Sequence, residues 1–244
     1  MLGSPALGQE RGESGYLPLY GELLSLYTRS VDAEVGTRVN YPGLKLEPRW
    51  PNLVQALAGV DPAQLGSREA EMAFWINAYN ILAIDLVVRH YPVESIRDIG
   101  SIFRSVWKRE AGRIGERGYT LDEIEHRILR PMKDPRIHGA IVCASISCPS
   151  LARIPYTSTD LDAQLEASLR AWMARPEKGL AVDRDKMRIR ISRIFKWFDE
   201  DFGGPRGVLS FVERYAPAND QAWLKAHRNE LRVSYLDYDW NLNE

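Results

Sequence analysis

The 244-residue chain carries 32 Lys and Arg against 33 Asp and Glu, a net charge of -1, with 45% hydrophobic and 27% charged residues; this is the balance of one globular domain long enough to bury a real core. So even a charge gives no basis for a nucleic acid or a generally anionic surface as partner. Its two cysteines cannot build a disulfide framework, and their C-x4-C spacing is neither a zinc knuckle nor a C-x-x-C redox motif, so free thiols are expected.

The first thirty residues include Glu10, Arg11 and Glu13 and no long apolar run, so neither a signal peptide nor a membrane-spanning segment is expected. As given, the chain reads as cytoplasmic; removal of a leader would make it periplasmic or secreted. Residues 1–36 read as an N-terminal helical extension with a helix over Leu17–Tyr27, and residues 37–244 as the main domain. Thr37–Tyr41 reads as a short strand running into a turn at Pro42-Gly43, and Asn52–Ala58 as a helix. Ser67–His90 is the longest periodic segment: Met72, Trp75, Ile76, Tyr79, Ile81, Leu82 and Leu86 cover a broad apolar face, which predicts a central buried helix ending before Pro92.

Arg104–Arg117 is locally basic and reads as a solvated hairpin, Val106–Glu110 pairing with Arg113–Thr120 around Ala111-Gly112. Thr120 and Glu123 form a capping box that opens a helix over Leu121–Arg130, stopped by Pro131. A short apolar strand is predicted from His138 to Cys143, opening into a Ser-rich loop that ends at Cys148-Pro149. Beyond it come a helix over Asp160–Met173, a hairpin of Leu180–Asp183 with Met187–Ile191, helices over Arg193–Phe202 and Val208–Tyr215, and a strand over Arg232–Leu236 before the tail Y-L-D-Y-D-W-N-L-N. Helices and short strands without regular alternation predict an α+β fold, a small antiparallel sheet packed by several helices.

Most of the chemistry sits between Tyr119 and Tyr156, where both cysteines, two of the four histidines and a cluster of acids fall together. Cys143 ends an apolar run at a strand-to-loop junction, where enzymes expose reactive side chains; free cysteine is also a common buried residue, and position alone does not separate the two. Cys148 precedes Pro149, which suits a first helical position, so a helix N-terminus could stabilise its thiolate. On a continuous strand His138 and Cys143 would lie roughly 16 Å apart at about 3.3 Å per residue and on opposite faces, which rules them out as a pair. His126 can reach Cys143 through tertiary packing. Asp122 and Glu123, four and three residues before it, are placed to orient its ring, whereas Glu125 is rotated about 100° away and can face the site independently. The rival set is Cys148 with His138 and Glu125. Asn77 and Asn80 share one face of the long helix, either tying loops to the core or donating to a substrate carbonyl.

F-W-I-N-A-Y-N at Phe74, Y-T-L-D-E-I-E-H-R-I-L-R at Tyr119, D-P-R-I-H-G-A-I-V-C-A-S-I-S-C-P-S-L at Asp134, I-F-K-W-F-D-E-D-F at Ile194 and Y-D-W-N-L-N at Tyr238 together resemble the domain-of-unknown-function family numbered 547, from about Val39 to Asn243. The resemblance implies kinship with papain-like and transglutaminase-like folds in permuted order. It implies a cysteine nucleophile, a histidine base and an acidic orienter: Cys143, His126 and Glu125, with Glu123 as the orienter that helical spacing prefers. Asn77, Asn80, Ser145 and Ser147 are the expected substrate-binding residues, with backbone N–H groups of the Ala144 to Ser147 loop as oxyanion donors. Ala144 stands where the family often has glycine. The expected activity is a cysteine-dependent hydrolase or acyl transferase on a peptide-like amide, with glutathione or another small thiol peptide as a conceivable ligand and no cofactor. A non-catalytic binding module with a papain-like cleft is the second reading, and a zinc site of Cys143, Cys148, His126 and His138 the third.

Overall fold

The structure, a computed structural model, describes residues 15–101 and 105–244. The start of the expected N-terminal extension and Arg104 of the basic run lie outside the described residues.

Tyr16, at the N-cap of helix α1 (Leu17–Tyr27), and Tyr20, Leu23 and Leu24 within it recur at helical spacing and are all buried in the main core. The chain then pairs β1 (Thr28–Ser30) antiparallel with β2 (Thr37–Val39), so α1 packs on the main core and β1 pairs with the strand that follows. A turn was expected at Pro42-Gly43. Instead Asn40 caps helix α2 (Tyr41–Leu46), its side chain accepting the Gly43 N–H at 2.9 Å, and Pro42 fits the first turn, where a missing N–H breaks no helical bond. Helix α3 (Arg49–Ala58) follows. Ser67 then caps the central helix α4 (Arg68–His90), accepting the Ala70 N–H at 3.1 Å. Every residue from Met72 to Val88 is buried, so α4 is enclosed on all sides rather than on one face. Among the described residues it is the one helix long and apolar enough to cross a membrane, and 94% of its apolar window is buried inside the protein.

The hairpin lies further along the chain than expected. β3 (Glu110–Ile114) pairs antiparallel with β4 (Arg117–Thr120), while Val106–Lys108 is a 3-10 turn. The reversal is at Gly115, whose φ of 57° is left-handed and open to glycine without strain. Ala111 bulges out of the ladder, and its carbonyl accepts from Arg89 at 2.7 Å.

The capping box forms as expected: Thr120 Oγ1 accepts the Glu123 N–H at 3.0 Å and Glu123 accepts the Thr120 N–H at 3.1 Å, opening α5 (Leu121–Glu123). Thr120→Ala is expected to lower stability by about 1 kcal/mol; an unchanged urea midpoint would contradict this. The helix does not continue to Arg130 in α form. Ile124–Leu129 is a π-helical turn and Arg130–Met132 a 3-10 turn. Pro131 has no N–H for a further α turn and its ring would press on the Arg127 carbonyl, and the widened turn avoids both.

The predicted strand from His138 to Cys143 does not form. Asp134 caps a 3-10 turn over Pro135–Gly139 by accepting the Arg136 N–H at 3.0 Å. Among the described residues no strand pairs with the segment that follows it. Asn80 supplies the missing partner from α4, donating to the Ala140 carbonyl at 2.9 Å and accepting the Val142 N–H at 2.8 Å.

Helix α6 (Leu161–Met173) joins two apolar clusters: Leu161 and Leu165 face the main core, whereas Leu169, Trp172 and Met173 pack with Phe195, Val212 and Leu224. β5 (Leu180–Asp183) pairs antiparallel with β6 (Arg188–Ile191), and β7 (Arg232–Tyr235) joins β6 in parallel. The fold is thus α+β, but the strands among the described residues form two hairpins and one mixed three-stranded sheet rather than a single antiparallel one. The parallel pair requires a long crossover. That crossover contains α7 (Ile194–Trp197), a 3-10 turn over Asp199–Phe202, α8 (Gly204–Tyr215) and α9 (Ala218–His227). The single helix expected over Arg193–Phe202 is therefore split at Phe198. Past β7 the tail hydrogen-bonds the cysteine loop, with the Ile146 N–H on the Asn241 carbonyl at 2.9 Å and the Asn243 N–H on the Ala144 carbonyl at 3.0 Å.

Candidate functional site

A cavity of about 240 Å³ opens between α4, the π turn, the cysteine loop, α7 and the tail. Ile141, Ile194, Trp107, Trp197, Phe198 and Trp240 make most of it apolar. Into it come Cys143, Cys148, His126, His138, Glu125, Tyr79 and Tyr238. The sequence-predicted sulfurs, imidazoles and Glu125 therefore meet at one place, although not in the predicted pairs.

The sulfurs contact each other. Cys143 Sγ and Cys148 Sγ lie 2.7 Å apart, Cys143 half-buried and Cys148 only 2% exposed. Cys148 Sγ is a hub of donors: the Cys143 N–H at 3.2 Å, Ser145 Oγ at 3.2 Å and Tyr238 OH at 3.2 Å. Ser145 Oγ is also 3.1 Å from Tyr238 OH, so its single proton serves one of two acceptors. Burial pushes the Cys148 thiol up, but donation from Cys143 Sγ, Ser145, Tyr238 and the Cys143 N–H outweighs it and brings it down to about 6. Cys143 moves the other way, held as a thiol chiefly by its contact with Cys148 and then by burial. The stabilisation expected from a helix N-terminus comes instead from side chains and one backbone N–H, since no helix begins at Pro149. Between the cysteines Ala144 adopts φ 63°, a left-handed turn that costs a residue with a Cβ about 1 kcal/mol.

The π turn and the crossover place the imidazoles. His138, buried in the 3-10 turn, stacks on Phe198 with ring centroids 4.4 Å apart, and its Nε2 lies 2.7 Å from Asp201 Oδ2. Arg130 grips the same carboxylate through Nε at 2.6 Å and Nη2 at 2.9 Å. Despite partial burial, these hydrogen bonds from His138 and Arg130 hold the Asp201 carboxyl well below the usual range. An ionised Asp201 only accepts, so Nε2 carries the His138 proton and Nδ1 keeps its lone pair. Burial lowers the His138 pKa against the pull of Asp201. His126 Nδ1 accepts from Arg130 Nη1 at 2.7 Å, and its Nε2 is 3.9 Å from Asp122. Burial also lowers the His126 pKa, with Asp122 opposing and Arg130 assisting. The two imidazoles are thereby bridged through Arg130 and Asp201.

Glu125 is 7% exposed, accepts a hydrogen bond from Tyr79 OH at 3.3 Å, and is pushed up to about 7 by burial, which that bond only partly offsets. It does not hydrogen-bond His126. Glu123, the orienter preferred by helical spacing, is committed to the cap and to Arg117 at 2.7 Å. His138 and Cys143 were excluded as a pair on the premise of a strand; the strand is absent, and both line the cavity.

The expected binding residues have other partners. Asn77 donates to the Tyr156 carbonyl at 2.7 Å and accepts the Tyr156 N–H at 2.9 Å, as Asn80 does at Ala140 and Val142, so both amides tie loops to α4. Ser147 Oγ donates to Glu34 at 3.1 Å and accepts the Asp239 N–H at 2.9 Å. Ser145 is at the sulfurs. Of the proposed oxyanion donors, the Ile146 and Ser147 N–H groups are taken by Asn241 and Asp239 carbonyls. No group of three or more His, Cys, Asp or Glu side chains suited to a metal occurs among the described residues; of the third reading's ligands, His138 is turned to Asp201 and His126 to Arg130.

Asp201, Tyr238, Tyr79 and the aromatic wall are site residues that sequence reasoning misses. Tyr79 reads as one more apolar-face residue of a core helix. Asp201 and Tyr238 lie in the motifs I-F-K-W-F-D-E-D-F and Y-D-W-N-L-N, whose acids and aromatics were the available signal.

No curated protein and no solved structure matches the chain. Residues 62–173, from the turn before α4 to the end of α6, match the family described as "Protein of unknown function, DUF547", and this span supplies both sulfurs, both imidazoles, Tyr79 and Glu125, while Asp201, Tyr238 and Trp240 lie beyond it.

Proposed function

We propose that the cavity carries out cysteine-dependent acyl transfer or hydrolysis on a compact peptide-like amide, in the manner of papain-like enzymes. The observation that supports this is the convergence of two thiols in contact, a buried imidazole held by Asp201, and Glu125 on one aromatic cavity. Cys143 is the attacking sulfur, because it is the more exposed of the two. His138 is the base: Asp201 holds its Nε2–H, leaving Nδ1 to take a proton, and this is the orienting logic of a Cys–His–Asp arrangement. Glu125, with a pKa of about 7, is able to protonate a leaving amine at neutral pH. His126 and Glu125, expected as base and orienter, become respectively a flank of the Arg130 bridge and an independent acid. The cavity has room for one apolar side chain or a short acyl group, as part of a peptide or of a small thiol peptide such as glutathione would present.

The test is a pre-steady-state reaction of the full chain with excess p-nitrophenyl acetate. Wild type is expected to release a burst of nitrophenol and carry one acetyl group, on Cys143. Cys143→Ser should show no burst, and His138→Ala should acylate roughly 100-fold more slowly. Absence of a burst in wild type, or a burst retained in Cys143→Ser, would remove the proposal. A non-catalytic binding module is the second reading, favoured by the fact that neither imidazole hydrogen-bonds a sulfur; it requires no burst from any variant.

A further inference from the structure

Acyl transfer uses one sulfur, and the cavity holds two. The contact between Cys143 Sγ and Cys148 Sγ is set by backbone as well as by side chains, since the Cys143 N–H itself points at Cys148 Sγ. The loop between them is clamped on two sides. The tail holds Ala144 and Ile146 through Asn243 and Asn241. On the other side Lys178, 1% exposed, donates to the Cys148 carbonyl at 2.6 Å and the Ile146 carbonyl at 3.3 Å. Folding therefore already meets the entropy of bringing the sulfurs together, so a step joining them is effectively unimolecular.

We propose that Cys143 and Cys148 form a dithiol–disulfide couple that exchanges with small external disulfides. Once the reduced pair has lost one proton, the charge rests on Cys148, which accepts from the Cys143 N–H, Ser145 and Tyr238. A disulfide RS–SR reaches the half-buried Cys143. The Cys143 proton passes to Cys148, and the Cys143 thiolate attacks one sulfur of RS–SR, forming a Cys143–SR bond and breaking the RS–SR bond. The leaving thiolate takes the proton from Cys148 and departs as RSH. Cys148, again a thiolate, attacks Cys143 Sγ, forming the internal disulfide and expelling RS⁻. The protein dithiol loses two electrons, RS–SR gains them, and the single negative charge is conserved. Cys148 is the resolving sulfur because it is buried beside Cys143 and out of reach of an external molecule. On the acyl-transfer reading, the oxidised couple has no free nucleophile.

The test uses the full chain and 2-hydroxyethyl disulfide. Reduced protein freed of reductant is mixed with the disulfide, quenched in acid, unfolded, alkylated at any remaining thiol and weighed intact. Wild type is expected to release two equivalents of 2-mercaptoethanol, take up no alkyl group and weigh less by two hydrogens. Cys148→Ser should release one equivalent and stop as a mixed disulfide on Cys143. Cys143→Ser should react at least about ten-fold more slowly, in keeping with the dependence of exchange on access. Wild type that stops as a mixed disulfide, or that keeps two alkylatable thiols, overturns the proposal; so does Cys143→Ser reacting as fast as wild type. Urea curves for the two serine variants separate lost exchange from lost fold, and the wild-type stoichiometry needs neither variant. The readout is also independent of the acyl burst: a disulfide without a burst overturns the acyl-transfer reading alone.

Discussion

Asn80→Leu is expected to lower the stability of the protein by roughly 3–5 kcal/mol, read as a shift of the urea midpoint at unchanged slope. The substitution nearly conserves volume and keeps an apolar neighbourhood satisfied, so the loss comes from hydrogen bonds. Asn80 is 2% exposed and makes both bonds of a peptide group, to the Ala140 carbonyl and from the Val142 N–H. Leucine leaves both backbone groups buried without partners, and no sheet is there to take them. Cys143 is the next residue along, so the loosened segment should also expose both cysteines to alkylation under native conditions. Asn77→Leu removes the equivalent pair at Tyr156 and should behave alike in stability. A cost under about 1 kcal/mol for Asn80→Leu would show that the segment finds other partners, and that α4 does not position the sulfurs.

Glu125→Gln is expected to stabilise the protein, increasingly with pH. The Glu125 carboxyl is raised from an ordinary 4.5 to about 7 in the folded protein, so between these values the folded state holds a proton that the unfolded state has lost. The stability this gives is fully present below about pH 4.5 and is lost as pH rises through about 7. Glutamine has no such dependence. Wild type and variant should therefore melt together near pH 4 and separate by about pH 8, with wild type weaker by on the order of 3 kcal/mol. Thermal melts across that range are the measurement, and a gap that does not grow with pH would mean that Glu125 is ionised at ordinary values. The same burial that weakens the fold keeps a carboxylic acid available at neutral pH, and natural proteins commonly accept that exchange at working sites.

Local signals were legible in the chain. Thr120 is a short polar cap at the start of α5, and its N–H partner is within three residues, so sequence spacing suffices to identify it. The apolar run of α4 announced a core helix in the same way. The His138–Cys143 run did not announce its conformation, because an apolar stretch of that length suits an extended segment satisfied by a strand or by a side chain, and only the arrival of Asn80 from another element decides which. The π turn was hidden for a related reason: nothing in Ile124–Leu129 forbids an α-helix until Pro131 and the contacts of Arg130 are considered together.

For the site, residue types were determined by the sequence and pairings by the tertiary structure. Thiols, imidazoles and acids crowded into one stretch were bound to end near one another, because short connections join the elements that carry them. Which nitrogen meets which oxygen was not. Asp201, 63 residues from His138, reaches that imidazole, and Tyr238, 90 residues from Cys148, reaches the cavity, only because the crossover and the tail fold back over it. Hydrogen bonding and charge act across a few ångströms of space regardless of separation along the chain, so the partner of His138 and the ionisation of Cys148 were settled only when distant segments packed together.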